Sequence, residues 1–133
     1  MKPTAIMVDI DGTLAHMKDR SPFDWHRVGA DKVDMAIASI TQKYKTVILL
    51  SGRDGVCRPE TEQWLKDNDV NYSKLFMRTT GDNTPDEIVK WDIYQKEVAP
   101  NYDILFVLDD RNKVVKMWRE NGLKCLQVAE GDF

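Results

Sequence analysis

Five short apolar runs punctuate the chain, at residues 4–10, 46–50, 73–78, 103–108 and 123–128. Continuous apolar stretches of this length mark strands covered on both faces, as in parallel sheets. Between them the period changes. Across 31–44, Val33, Ile37, Ile40 and Tyr44 recur every three or four residues, which predicts a helix with one apolar face. A weaker helical pattern at 59–68 centres on Trp64 and Leu65. A third helix is expected over 85–98, with Thr84 as N-cap, Pro85 at the first helical position and Glu87 completing a capping box. The last, 111–121, turns Val114, Val115 and Trp118 inward and stops at Asn121-Gly122. Strands alternating with helices predict an α/β fold: a three-layer, Rossmann-like sandwich around a parallel sheet of about five strands. Residues 14–30 fit neither period. A loop of that length is expected to be functional, and it is too short for a large cap domain.

Composition narrows the class. At 133 residues the chain is expected to be one domain spanning 1–133, with no repeats or low-complexity tracts. Hydrophobic residues at 42% and charged residues at 31% fit a soluble globular protein. A net charge of −3 gives no basic footprint for coating a long polyanion, so local arginines must hold any nucleic acid. The apolar runs are too short to span a bilayer, and no secretory signal pattern opens the chain. Cys57 and Cys125 lack metal-type spacing and are expected to be reduced packing residues of a cytoplasmic protein.

Reactive side chains gather where the apolar runs end. The first is followed by Asp9-Ile10-Asp11-Gly12-Thr13, the second by Ser51-Gly52-Arg53 and the fourth by Asp109-Asp110-Arg111; Lys90 sits near the start of the third helix. In a parallel α/β sheet these positions fall at the carboxyl edge, where such folds bind ligands. Two acids one residue apart on a strand project to the same side. Gly12 permits a sharp turn that is expected to leave both facing solvent. Close like charges repel unless a cation or shared proton offsets them. Mg²⁺ takes oxygen ligands from one or two carboxylates plus substrate oxygens, which makes Asp9 and Asp110 candidate ligands with Asp109 in support. One carboxylate can attack phosphorus while another moves the proton. Lys90 and the Ser51 hydroxyl suit the phosphoryl oxygens. Each piece has an ordinary alternative: Ser51-Gly52 as a turn, Asp86 and Lys90 as an exposed ion pair, Asp110 as a helix cap. Their convergence on one edge favours phosphoryl transfer.

Asp9-x-Asp11-Gly12-Thr13, Ser51, Lys90 and Asp109-Asp110 together resemble the four-motif signature of the haloacid dehalogenase superfamily. Nearly end to end, through Asp86–Lys90, Met117-Trp118-Arg119 and Gly131-Asp132-Phe133, the chain resembles the 3′-phosphatase domains of bacteriophage polynucleotide kinase-phosphatases. The resemblance implies Asp9 as nucleophile, Asp11 as general acid-base, and Mg²⁺ held by Asp9, the Asp11 backbone carbonyl and Asp110. It implies phosphate binding by Ser51, Gly52 and Lys90, and substrate contacts from Arg20, Arg53 and Arg78. Thr13, Asp86 and Asp109 would support them, with Asp86 holding the Lys90 ammonium. The implied substrate is a 3′-phosphomonoester at a DNA or RNA end, or a nucleoside 3′-monophosphate, in a phage-infected bacterium. No GxxxxGK[ST] loop occurs, so no kinase half is expected in this chain, and Asn83-Thr84-Pro85 is less basic than the family pattern. Phe23 and Trp25 suit either a stacked terminal base or anchorage of the loop to the core, the second being favoured.

Two rivals remain on these residues: a phosphatase for a small metabolite or free nucleotide, and a phosphoacceptor signalling domain. The second places its accepting acid at the end of the third strand, where this chain has Met77-Arg78.

Overall fold

The computed structural model describes residues 1–18 and 20–133. The strands are β1 (Thr4–Val8), β2 (Ala15–His16), β3 (Lys32–Val33), β4 (Val47–Asp54), β5 (Lys74–Arg78), β6 (Asp103–Asp109) and β7 (Cys125–Gln127). The α-helices are α1 (Met35–Thr41), α2 (Arg58–Asp67), α3 (Asp86–Ile93) and α4 (Asn112–Glu120). A central sheet of five parallel strands runs in the order β5-β4-β1-β6-β7, and β2 pairs separately with β3 in antiparallel register.

Both faces of the sheet are covered over β1 and the first half of β4, which is why these strands read as unbroken apolar runs, whereas β6 and β7 leave Leu105 and Leu126 exposed. Alternation along β1 sends Ile6 and Val8 toward Ile37 of α1 and Trp64 and Leu65 of α2. Ala5 and Met7 go the other way, toward Val114, Val115 and Trp118 of α4. Each large apolar side chain fully buried in this manner contributes roughly 1.5–3 kcal/mol. The chain winds outward from β1 through β4 to β5, then crosses to β6 on the opposite side of β1. The reversal puts the ends of β1 and β6 side by side at the topological switch point.

Several boundaries differ from the sequence reading. The 31–44 stretch is not one helix. Lys32 and Val33 pair with His16 and Ala15, and α1 starts only at Met35, with the Asp34 carboxylate accepting from the Ile37 amide at 3.1 Å. Val33 thus shares the apolar spacing of the helix without belonging to it. The expected capping box at 84–87 is absent. Pro85 is the cap residue of α3, and the Thr84 amide and hydroxyl both donate to Asp82 Oδ1. A residue preceding proline is driven away from helical geometry, so Thr84 turns to a local partner instead. Beyond Ile93 the helix widens into a π turn, Tyr94–Val98.

The expected irregular stretch 14–30 is shorter at both ends and partly ordered. Its base is closed by the β2–β3 pair, and Trp25–Ala30 forms a 3₁₀ helix that buries Val28. Asp19 within it lies outside the described residues. Both cysteines are buried and free. Among the described residues no helix is long and apolar enough to cross a membrane.

Replacing Asp34 by alanine is expected to cost about 1 kcal/mol, the worth of a helix N-cap. Burial is the largest single influence on the Asp34 carboxyl and raises it, but the His16 ring and the Ile37 and Ala36 amides together outweigh it and hold it below its ordinary 3.8. A depressed carboxyl stabilises the fold above its unfolded pKa and loses that effect as pH falls through the folded value. The stability gap between wild type and Asp34→Ala, measured by urea unfolding, should therefore be full at pH 7 and narrow below pH 3.8.

Candidate active site

β1 ends at Val8, so Asp9 and Asp11 lie in the turn beyond it. The Ile10 carbonyl accepts from the amides of Thr13, Leu14 and Ala15, curling the backbone tightly. Gly12 completes the turn at φ +82°, in the left-handed region. A β-carbon there would lie 2.0 Å from Asp110 Oδ2, so the turn can approach the end of β6 only as glycine. Thr13 Oγ1 donates to Asp9 Oδ2 at 3.1 Å and lies 3.5 Å from Asp110 Oδ1.

The outcome is three acids in one place. Asp9, Asp109 and Asp110 each present an oxygen within 4.8 Å of the others, and all three are buried. Asp9 was expected to face solvent, yet it is only 5% exposed. Burial, reinforced by Asp109, pushes its carboxyl well above the usual carboxylate range; burial likewise raises Asp110. Lys90 offsets part of this charge. Its side chain is only 2% exposed, and Nζ donates to Asp9 Oδ1 at 2.8 Å and Asp109 Oδ2 at 3.0 Å. Burial alone would lower the ammonium's pKa, but Asp109, Asp9 and Asp86 override it and lift it well above the ordinary value.

Asp11 belongs to a separate network. Arg53 donates to it through Nε and Nη2 and reaches Thr61 Oγ1 and Asp31 Oδ2 as well. Arg20 pairs with both Asp31 oxygens at 2.8 Å and lies 3.6 Å from Asp11. The side chains of Arg20, Arg53 and Asp31 are wholly buried, whereas that of Asp11 keeps about a third of its surface exposed (32%). Asp31, which sequence reasoning missed, is the common anchor; its carbonyl also accepts from Trp64 Nε1 at 2.7 Å. No local pattern marks it, because its two partners are 11 and 22 residues away.

The residues expected to contact phosphate and substrate have partners within the protein. Arg20 and Arg53 pair with acids of the protein, and Arg53 also lines the cavity over the acid cluster. Arg78 donates to the Gly52, Asp82 and Thr84 carbonyls and lies 3.5 Å from Asp86, so it fastens the 79–86 loop. Ser51 is buried, and its hydroxyl oxygen accepts from the Arg53 amide at 3.0 Å. β4 and β5 lose register between Ser51 and Asp54, and this bulge sends the Arg53 side chain inward. Gly52 leaves room for Asp86, whose oxygen would meet a β-carbon at 1.9 Å. Asp86 stands 4.0 Å from Lys90 and 3.8 Å from Arg111, a partner the sequence reading did not assign.

A cavity of about 550 Å³ opens over this edge, lined by Asp9, Asp11, Gly52, Arg53, Asp109 and Asp110, with Phe23, Arg78, Arg111 and Phe133 among the residues further out. The donor set fits a hard divalent cation. Both Asp109 oxygens are already engaged, one by the Asp110 amide and the other by Lys90 with Trp118 nearby at 3.4 Å. Lone pairs remain on Asp9 and Asp110, whose raised pKa values mark charge that a cation would stabilise. The Asp11 carboxylate is turned to Arg53, whose Nη2 lies 2.8 Å from Oδ1.

The family model for the polynucleotide kinase PNKP phosphatase domain matches residues 3–133. A protein of Autographa californica nuclear polyhedrosis virus, named as a bifunctional polynucleotide kinase/RNA ligase, is 30% identical over 125 residues, covering 89% of this chain and 18% of that protein. Among solved structures, a chain of the Pnkp1/Rnl/Hen1 complex superposes with a TM-score of 0.96 at 39% identity, covering 99% of this chain and 48% of that one. A chain of the Pnkp1/Rnl/Hen1 RNA repair complex gives the same score and identity, covering 99% and 44%. The chain thus spans less than half the length of these relatives.

Asp31→Asn should be among the most damaging substitutions outside the acid cluster. It leaves two buried guanidiniums short of a counter-charge, and breaking such a pair costs about 3–5 kcal/mol. Urea unfolding of the variant against wild type measures this; a loss under 1 kcal/mol would show that Asp31 is not the anchor.

Proposed function

The chain belongs to the haloacid dehalogenase-type phosphatase domain family of polynucleotide kinases, and on that premise we propose that it is a Mg²⁺-dependent phosphatase removing 3′-phosphates from nucleic-acid ends. The observation that carries this reading is the burial of Asp9 between Lys90 and the Asp109-Asp110 pair. A carboxylate desolvated among like charges is a strained anion that gains by bonding to an electrophile, provided other groups hold the electrophile's own charge.

In the proposed reaction an Asp9 oxygen attacks phosphorus while the bond to the nucleotide's 3′ oxygen breaks. Asp11 gives its proton to the departing oxygen. Asp11 then takes a proton from water, whose oxygen attacks the aspartyl-phosphate, releasing inorganic phosphate and restoring the Asp9 carboxylate. Asp9, Asp110 and the Asp11 backbone carbonyl would hold Mg²⁺, which would supply charge neutralisation for the incoming phosphate. Esterification removes the charge on Asp9, so the Lys90 N–H that pointed at it is free to donate a hydrogen bond to a phosphoryl oxygen, as the Ser51 hydroxyl also can.

Arg20 and Arg53 act in this scheme as positioning residues that fix the Asp11 carboxylate, with Asp31 behind them. Arg78 sets the loop that carries Asp86, and Thr13 orients Asp9 against Asp110. Names joining polynucleotide kinase with RNA ligase and RNA repair favour RNA ends among the substrates, and a step of end healing before sealing. The viral relative supports a viral setting.

Phosphate release from matched 3′- and 5′-phosphorylated DNA and RNA tests the proposal. Turnover is expected on 3′ ends only, abolished by chelator and restored by Mg²⁺; faster turnover of sugar phosphates or 5′-nucleotides would overturn it. Asp9→Asn should lower the rate on 3′ ends by roughly 10⁴- to 10⁶-fold, the scale of losing a nucleophile. Its circular dichroism spectrum should match wild type, since asparagine keeps the side chain's size.

A further inference from the structure

The rim of the cavity carries apolar side chains that the reaction does not use. Phe23 is 82% exposed and Phe133 62%, and both line the cavity that the acid cluster floors. A lone exposed phenylalanine needs no explanation. Two bordering one polar-floored cavity match the build of a ligand site, apolar walls around a few placed polar groups.

Phe133 is held in place. Arg111 Nε donates to its carbonyl oxygen at 2.8 Å, and the guanidinium carbon lies 5.3 Å from the ring centroid, within cation–π range. The Gly131 carbonyl accepts from the amides of Asn112 and Phe133. The ring is therefore tied to the segment that directly follows Asp110. An ordered aromatic ring has little conformational entropy left to lose when a flat ligand stacks on it.

The neighbouring cleft points away from a grip on the nucleic-acid backbone. Asp54, Asp82, Asp86 and Glu87 line it together with Arg78, Arg111 and Lys113, an excess of one acid, and Arg78 donates to the Gly52, Asp82 and Thr84 carbonyls. Cations so matched by acids leave little net attraction for phosphodiesters. A phosphoryl-directed floor, an aromatic rim and a charge-matched flank together suit a phosphate attached to one nucleoside, with few contacts further along the strand.

Building on the proposed 3′-phosphatase reading, we propose that Phe23 and Phe133 recognise the terminal nucleotide by stacking on its base. Recognition through ring faces tolerates every base but requires that one be present.

Phosphate release can be compared on two oligonucleotides that end in a 3′-phosphate, identical except that one lacks its terminal base. Wild-type kcat/KM is expected to be about tenfold or more higher with the base present, the scale of one stacking contact. Phe23→Ala and Phe133→Ala should lose that advantage while keeping the rate on the baseless end, and Phe133→Tyr should retain it. Fluorescence of a terminal 2-aminopurine should be quenched on binding to Asp9→Asn, and less so when Phe23→Ala is added. Equal wild-type rates on the two ends, or equal losses on both in the alanine variants, would overturn the stacking proposal and leave the phosphatase reading standing. Failure of wild type on both ends, with turnover of small phosphate esters, would instead remove the polynucleotide reading.

Discussion

Everything at the carboxyl edge of the sheet depends on crowding three carboxylates into a space that water barely reaches. Proximity is forced by topology: β1 and β6 are neighbours, and the glycine after β1 lets its turn press against Asp110. Like charges at such distances in a low-dielectric setting repel by several kcal/mol unless matched. Lys90 supplies the matching charge from α3, the helix between edge strand β5 and β6. The aromatic group of Trp91, Tyr94 and Trp118 packs beside it, with the Trp118 indole nitrogen 3.4 Å from Asp109. The charged centre is thus braced from behind by large apolar side chains, which leaves the cavity as its open side.

A second buried network beside it balances two guanidiniums against two acids. Two guanidiniums converge on Asp31 and Asp11, and the one acid that keeps partial exposure is Asp11. The two networks give different surroundings to two carboxylates separated by a single residue in sequence. Asp9 is held among acids and an ammonium, and Asp11 among guanidiniums. Environments that differ this much let neighbouring acids take different parts in one reaction.

The layered α/β architecture was legible because buried parallel strands announce themselves as apolar runs and the helices between them keep one apolar face. The acids at the strand ends were legible too, since position relative to a strand end is local information. What escaped was set by distant partners or by competition at a boundary. Val33 carries the helical spacing of α1 but pairs with Ala15. Thr84 has the chemistry of a cap, but proline beside it decides otherwise. Arg20 and Arg53 look like hands held out to a polyanion; only the fold reveals Asp31, buried at 6% exposure, as the group they grasp. Asp31 itself is one acid among 22 acidic residues, and nothing within a few positions singles it out.

The short β2–β3 pairing has a mechanical corollary. It pinches together the two ends of the excursion that bears Phe23, and Asp31, next to that pinch, is clasped by both guanidiniums. A hinged swing of the excursion would have to tear a buried ion triad apart, a large fraction of the stability of an ordinary small protein. The doorway keeps its frame, and whatever enters must do the bending.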